Sequence, residues 1–144
     1  MALAASDVEQ PAPTIRAAKG ERVLLVEDDA GVRDLTFELL KDMGHRVVAA
    51  DTAKTAMARL EKDSGFDLLL TDIVLPGGVN GVELSHRVHA RIPQLKIVYM
   101  TGYADDALRH QALPDERANY LAKPFRKAEL SAALEKALRD DTSD

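Results

Sequence analysis

Residues 23–29 read Val-Leu-Leu-Val-Glu-Asp-Asp, four apolar residues running straight into three acids. Four apolar side chains in succession, without alternation, describe a strand covered on both faces, as strands are in a parallel sheet. The next stretch is helical. Val32, Leu35, Leu39, Leu40 and Met43 recur at helical spacing, and Gly44 stands where a left-handed residue ends a helix. Strand then helix is the opening of a parallel crossover unit, and the alternation continues down the chain. Arg46–Ala50 is a second strand, and Ala53, Ala56, Met57 and Leu60 mark a second helix that Asp51 or Thr52 can cap. Phe66–Thr71 is a third buried strand. Asn80, with Glu83 three residues on, resembles a capping box opening a helix through Leu84, Val88 and Ile92, which Pro93 stops. Lys96–Met100 gives a fourth strand, and Asp105–Ala112 a weaker, polar helix. Ala118–Leu121 is a short fifth strand, and Leu130, Leu134, Ala137 and Leu138 define the final helix. Five strands each followed by a helix predict an α/β fold, a three-layer, doubly wound, five-stranded parallel sheet.

Composition bounds the function. A chain of 144 residues, 46% of them hydrophobic, buries a core without needing a disulfide or a structural metal. Nineteen basic residues against 24 acidic ones leave a net charge of -5. The basic residues are scattered, which argues against a nucleic-acid surface. With no Cys, thiol nucleophiles and Cys-based metal sites are excluded, and a reducing compartment fits. Apolar runs such as Val23–Val26 are far too short to span a bilayer, and no basic stretch leads an apolar core at the N-terminus. A soluble, cytoplasmic domain over residues 21–139 is expected. Residues 1–20, Ala-rich with Pro11 and Pro13, read as a flexible tail or linker, and residues 140–144 as an acidic tail.

In an open parallel sheet the ligand site lies at the carboxyl ends of the strands, near the reversal of strand order. Strand one runs into Glu27-Asp28-Asp29, strand three ends Leu70-Thr71-Asp72, strand four ends Met100-Thr101-Gly102, and strand five leads to Lys123-Pro124. Carboxylates crowded on one rim repel one another unless a cation lies between them. Hard oxygen donors suit Mg²⁺, a lysine can neutralise a phosphoryl oxygen, and a hydroxyl can hydrogen-bond another. The chemistry suggested is phosphoryl transfer onto a carboxylate.

Over about Glu21 to Arg139 the chain resembles a bacterial two-component response-regulator receiver domain. The match lies in Asp28-Asp29, Asp72, Pro76 four residues on, Thr101, Tyr120 and Lys123-Pro124. The set in this order is specific, although each member alone is weak. The resemblance implies a flavodoxin-like sheet of order 2-1-3-4-5. It makes Asp72 the phosphoacceptor, Asp29 and Asp72 direct Mg²⁺ ligands, Asp28 a ligand through water, and the backbone carbonyl of Val74 a further ligand. Thr101 would grip the phosphoryl group, Lys123 would pair with it across a cis Lys-Pro peptide, and Tyr120 would be the switching aromatic. The partners implied are a histidine kinase or a His-containing phosphotransfer protein, and a downstream protein that reads the switch. A homodimer through the last strand–helix face is compatible with it. No output domain is expected after Arg139, and no enzymatic role beyond the receiver's own phosphorylation and slow dephosphorylation.

Simpler readings stand beside these. An acidic pair after a strand is often a helix N-terminus, where carboxylates favour the dipole. His86 and His89 read as surface helix residues, and Glu83-x-x-His86 lacks the second copy that a metal helix needs. Three other functions compete: a receiver-like interaction module that is never phosphorylated, a Mg²⁺-dependent aspartyl phosphatase, and a flavin-binding protein. The intact acids speak against the first, and Val74 in place of a second Asp against the second. Acids where a phosphate cradle is needed speak against the third. The chain departs from the family in four places. The loop Gly77-Gly78-Val79-Asn80-Gly81 is one residue longer and has Asn for Asp, a form similar to receivers at the C-terminus of hybrid sensor kinases. Arg126 stands where a capping Ser or Thr is usual. Val74 and Tyr103 bring no general base to the water path, which predicts slow self-hydrolysis.

Overall fold

Val23–Val26 are wholly shielded from solvent because they form an inner strand of the sheet, as their unbroken apolar run requires. The computed structural model describes residues 20–102 and 119–139. In chain order the elements are β1 (Arg22–Val26), α1 (Ala30–Asp42), β2 (Arg46–Ala50), α2 (Ala53–Lys62), β3 (Leu68–Asp72), α3 (Gly81–Arg91), β4 (Lys96–Thr101), β5 (Asn119–Ala122) and α4 (Lys127–Arg139). The five strands form one parallel sheet of order β2-β1-β3-β4-β5, the expected topology. The order reverses at β1, so the crevice between the carboxyl ends of β1 and β3 is the switch point. The polar helix expected over Asp105–Ala112 lies outside the described residues, as does Tyr103. Among the described residues no helix is long and apolar enough to cross a membrane.

Alternation along each strand separates two cores. Leu24, Val26 and Leu69 join Ala53, Leu60, Leu84 and Val88 of α2 and α3. On the other face Val23, Leu25, Leu68, Leu70, Val98 and Met100 join Leu40, Leu130 and Leu134 of α1 and α4. Strand three starts two residues later than its apolar run and continues through Asp72. Phe66 and Asp67 instead anchor the start of β1: the Arg22 guanidinium lies 4.5 Å from the Phe66 ring centroid, and the Asp67 carboxylate accepts the Arg22 N–H at 2.9 Å.

The helix ends follow local chemistry. The Asn80 side chain accepts the Glu83 N–H at 2.8 Å, but Glu83 turns to Arg87 instead of closing the box. Of the two candidate caps for α2, Thr52 takes the part, accepting the Thr55 N–H at 3.0 Å. At α4 the missing hydroxyl cap is answered from inside the helix, where Glu129 accepts the Arg126 N–H at 2.7 Å. Gly44 has φ 98°, and the His45 and Gly44 N–H groups return to the Leu40 and Lys41 carbonyls, a Schellman end to α1. His86 is exposed, as expected, whereas His89 is half-buried with its Nε2 2.9 Å from the Leu95 carbonyl.

His45 is buried, with its Nδ1 3.5 Å from a Glu21 carboxylate oxygen. Burial lowers the pKa of the imidazole, against a smaller upward pull from Glu21. The unfolded chain therefore takes up this proton first, so the His45 contribution is complete above the free value of 6.5 and is lost as pH falls below it through the lowered folded value. The expected outcome is that wild type loses more stability than His45→Gln between pH 7.5 and 5.5, measured as urea midpoints of the two proteins side by side. Equal pH slopes would remove the role assigned to His45.

Candidate functional site: an acidic rim with one lysine

Val26 and Thr71 are register partners on adjacent parallel strands, so the next residue of each strand, Glu27 and Asp72, emerge side by side at the switch point. Continuing the alternation, Glu27 is in phase with Val23 and Leu25, and Asp72 with Leu68 and Leu70, on the α1–α4 face. Both acids are buried, at 1% and 2% exposure. Lys123 enters from the end of β5, held by its own N–H donating to the Thr101 carbonyl at 2.8 Å and joined to Pro124 by a cis peptide. Its Nζ donates to Asp72 Oδ1 at 2.8 Å and to Glu27 Oε1 at 3.2 Å. Asp28, exposed, completes a group of three carboxylates whose nearest oxygens lie within 4.8 Å of one another.

Among the described residues the electrostatics are those of too little positive charge. Two buried carboxylates share one ammonium, and both cannot be ionised cheaply so far from water. Burial, and then the hydrogen-bonding neighbour Glu27, push the Asp72 carboxyl up to about 8, with Lys123 pulling the other way. Burial alone would lower the Lys123 ammonium, but Asp72 and Glu27 together hold it above the ordinary lysine value. Such a group is suited to a hard divalent cation: oxygen donors only, clustered, with negative charge in excess.

The structure brings Asp72, Asp28 and Lys123 together as the sequence implies, but it corrects the acidic pair. Asp29, expected as a direct ligand, is not in the cluster; its carboxylate accepts the Val32 N–H at 3.0 Å and caps α1. Its place is taken by Glu27, whose second carboxylate oxygen accepts the Asp29 N–H at 3.1 Å. The simpler reading, an acid at a helix N-terminus, holds for one acid of the three. The signal for Glu27 was present: β1 ends at Val26, so the first acid after it lies nearest the sheet.

Thr101 is buried at the end of β4. Val74 lies two residues beyond Asp72 with 51% of its surface exposed. Tyr120 pairs with Tyr99 in register, and their rings stack with centroids 5.6 Å apart. The Tyr99 hydroxyl in turn lies 2.6 Å from Ser85 Oγ on α3, tying the aromatic pair to that helix. Neither Tyr99 nor Ser85 was legible as part of this arrangement, because their partners are brought close only by the parallel register.

Fold and rim together define a doubly wound sheet with its acids and one lysine gathered at the switch point. A family model described as the response regulator receiver domain matches residues 23–135. The receiver protein CpdR of Brucella abortus is 38% identical over 118 residues, covering 82% of this chain and 97% of that protein. The sensor kinase CckA of the same organism is 30% identical over 117 residues, with 81% of this chain matching 12% of that one. The chain likewise spans 22% of the response regulator FleR of Pseudomonas aeruginosa, at 36% identity. Among solved structures, a response regulator receiver protein from Sinorhizobium medicae superposes with TM-score 0.74 at 26% identity, covering 85% of this chain and 98% of that one. A receiver domain from Clostridium thermocellum gives 0.75 at 22% identity, over the same shares, which bears on the fold alone. The chain belongs to the response regulator receiver domain family.

Proposed function

We propose that this receiver accepts a phosphoryl group on Asp72 from a phosphohistidine of a histidine kinase or His-containing phosphotransfer protein. The observation that carries it is the buried Asp72 carboxylate, hydrogen-bonded to Lys123 and crowded by Glu27 with too little positive charge around them. In the step an Asp72 oxygen bonds to phosphorus, the phosphorus–nitrogen bond breaks, and the imidazole leaves with the electron pair. Lys123 tracks the new negative charge, and Thr101 offers its hydroxyl to a phosphoryl oxygen. Glu27, Asp28 and Asp72, with the Val74 carbonyl, would hold Mg²⁺, which when bound draws charge from the phosphoryl oxygens. Tyr120 and the face of α4 carry the change to a protein partner by biasing two pre-existing states. The resemblance to part of the sensor kinase CckA supports a kinase as the source of the phosphoryl group.

The test is intact-protein mass spectrometry after incubation with acetyl phosphate. Wild type is expected to gain one phosphoryl group only with Mg²⁺, and Asp72→Asn none. Failure to label at early times with Mg²⁺ present would leave an unphosphorylated interaction module as the better account. Once formed, the acyl phosphate is expected to decay slowly after the donor is removed, because half-exposed Val74 supplies no base to the attacking water. Loss within seconds in the same mass-spectrometric time course would contradict that role for Val74.

A further inference from the structure

We infer that Arg33 is a positioning residue for the cation-holding acids, an inference built on the reading that Glu27, Asp28 and Asp72 form the cation site. Arg33 lies in the first turns of α1, where a guanidinium ordinarily extends into water. Instead it folds back toward the helix N-terminus, and its Nη1 donates to the Glu27 carbonyl at 2.9 Å and approaches the Asp28 carbonyl at 3.5 Å. Among the described residues no carboxylate lies within ion-pair distance of it. Its backbone is fixed too, the Arg33 N–H donating to the Asp29 carbonyl at 2.8 Å.

Glu27 and Asp28 lie beyond the strand, in the turn between β1 and α1. A turn made of three acids tends to open by mutual repulsion. The Glu27 N–H ties the start of the turn to the Ala50 carbonyl of β2 at 3.0 Å, and the turn itself is closed by Asp29 capping the helix, the Asp29 N–H on Glu27, and Arg33 on the Glu27 and Asp28 carbonyls. The cap and the Asp29 N–H bond act through side chains of the acids themselves. Arg33 holds the backbone from behind, which leaves the Glu27 and Asp28 carboxylates to the cluster; its own charge opposes a bound cation, so its contribution to affinity is the ordering of the turn, which outweighs that repulsion. Holding ligands in place before the ion arrives raises affinity by lowering the ordering cost of binding.

Mn²⁺ serves as the probe, its free concentration read by electron paramagnetic resonance on the full chain. Arg33→Met keeps the aliphatic stem and removes the donors and the charge; its Mn²⁺ dissociation constant is expected to rise about tenfold. Phosphoryl uptake from acetyl phosphate at saturating Mn²⁺ is expected to stay within about twofold of wild type, since Arg33 touches no reacting atom. Wild-type affinity in folded Arg33→Met, or a lowered saturating rate with unchanged affinity, overturns the inference. Should that variant fail to fold, Arg33→Lys decides. Its ammonium stops one bond short of the Glu27 carbonyl, and about threefold weaker binding is expected, whereas undiminished binding overturns the inference. Wild type serves as the control for the site itself: if it binds no Mn²⁺, or if Asp72→Asn binds equally well, the cation-site reading fails instead.

Discussion

In the absence of divalent cations at pH 7.5, Asp72→Asn is expected to unfold about 6 to 10 °C above wild type, a gain of about 2 kcal/mol in a domain of this size. The substitution removes the side chain on which the proposed chemistry depends, yet it relieves the fold. Glu27 and Asp72 are both buried, and Lys123, the one cation bonded to their carboxylates among the described residues, can balance only one of them. An amide at 72 keeps the shape and a carbonyl oxygen for the Lys123 ammonium, and leaves Glu27 and Lys123 as a one-to-one pair. The pH dependence carries the sign. The folded Asp72 carboxyl is pushed up to about 8, from 3.8 when free, so the folded state binds the extra proton between these values. Its contribution to wild-type stability is complete below 3.8 and is lost as pH rises through about 8. The advantage of Asp72→Asn therefore widens from pH 5 to 8.5, which thermal melts in chelator check. Adding Mg²⁺ at ten times its dissociation constant returns about 1.4 kcal/mol to wild type and far less to the variant. A variant less stable than wild type at pH 7.5 without metal would show that the site lacks this excess of negative charge.

The fold was legible because its signals are local and repeated. The unbroken runs Val23–Val26 and Leu68–Leu70, short and placed between helical patterns, read as strands buried on both faces, and Gly44 and Asn80 marked helix ends through backbone and capping preferences that act over a few residues. The site was legible where residue types are unusual for a strand end: Asp72, Lys123 and Thr101 all lie on the rim that the topology designates. It was misread by one step at the acids, because three in a row offer two adjacent pairs, and type alone favoured the two aspartates over the glutamate. Only the end of β1 and the demand of α1 for a cap separate them: the chain spends Asp29 on the helix and keeps Glu27 beside Asp72. Arg33 was illegible for a different reason. Its contact runs from a side chain to carbonyls five and six residues back, and residue type alone does not announce such a bond.

Gly81→Ala is expected to be the most damaging small substitution in the described chain, although it adds one methyl group and places a better helix former in α3. The glycine does not have a left-handed φ; what it lacks is room. A Cβ at this position would lie 1.9 Å from the Asp72 carbonyl oxygen, 2.9 Å from its carbonyl carbon and 3.1 Å from the Ile73 Cα, all backbone atoms that no rotamer change can move aside. The close approach is itself bonded, since the Gly81 N–H donates to the Ile73 carbonyl at 2.6 Å, and this seats the first turn of α3 against the end of β3. Relief requires either lifting α3 off Leu84 and Val88, both fully buried, or displacing the backbone that carries Asp72. We expect a loss of about 3 kcal/mol or more in urea unfolding, and slower phosphoryl uptake in whatever fraction folds, because overpacking a backbone contact is more costly than overpacking side chains. Two neighbours separate this cause from general sensitivity of the loop. Asn80→Ala loses only the cap and is expected to cost about 1 kcal/mol. Gly77→Ala meets nothing within 4 Å but must hold φ 88°, for about 1 to 2 kcal/mol of backbone strain. If Gly81→Ala proves no more costly than these two, then α3 can slide along the sheet, and its first turn does not fix the position of Asp72.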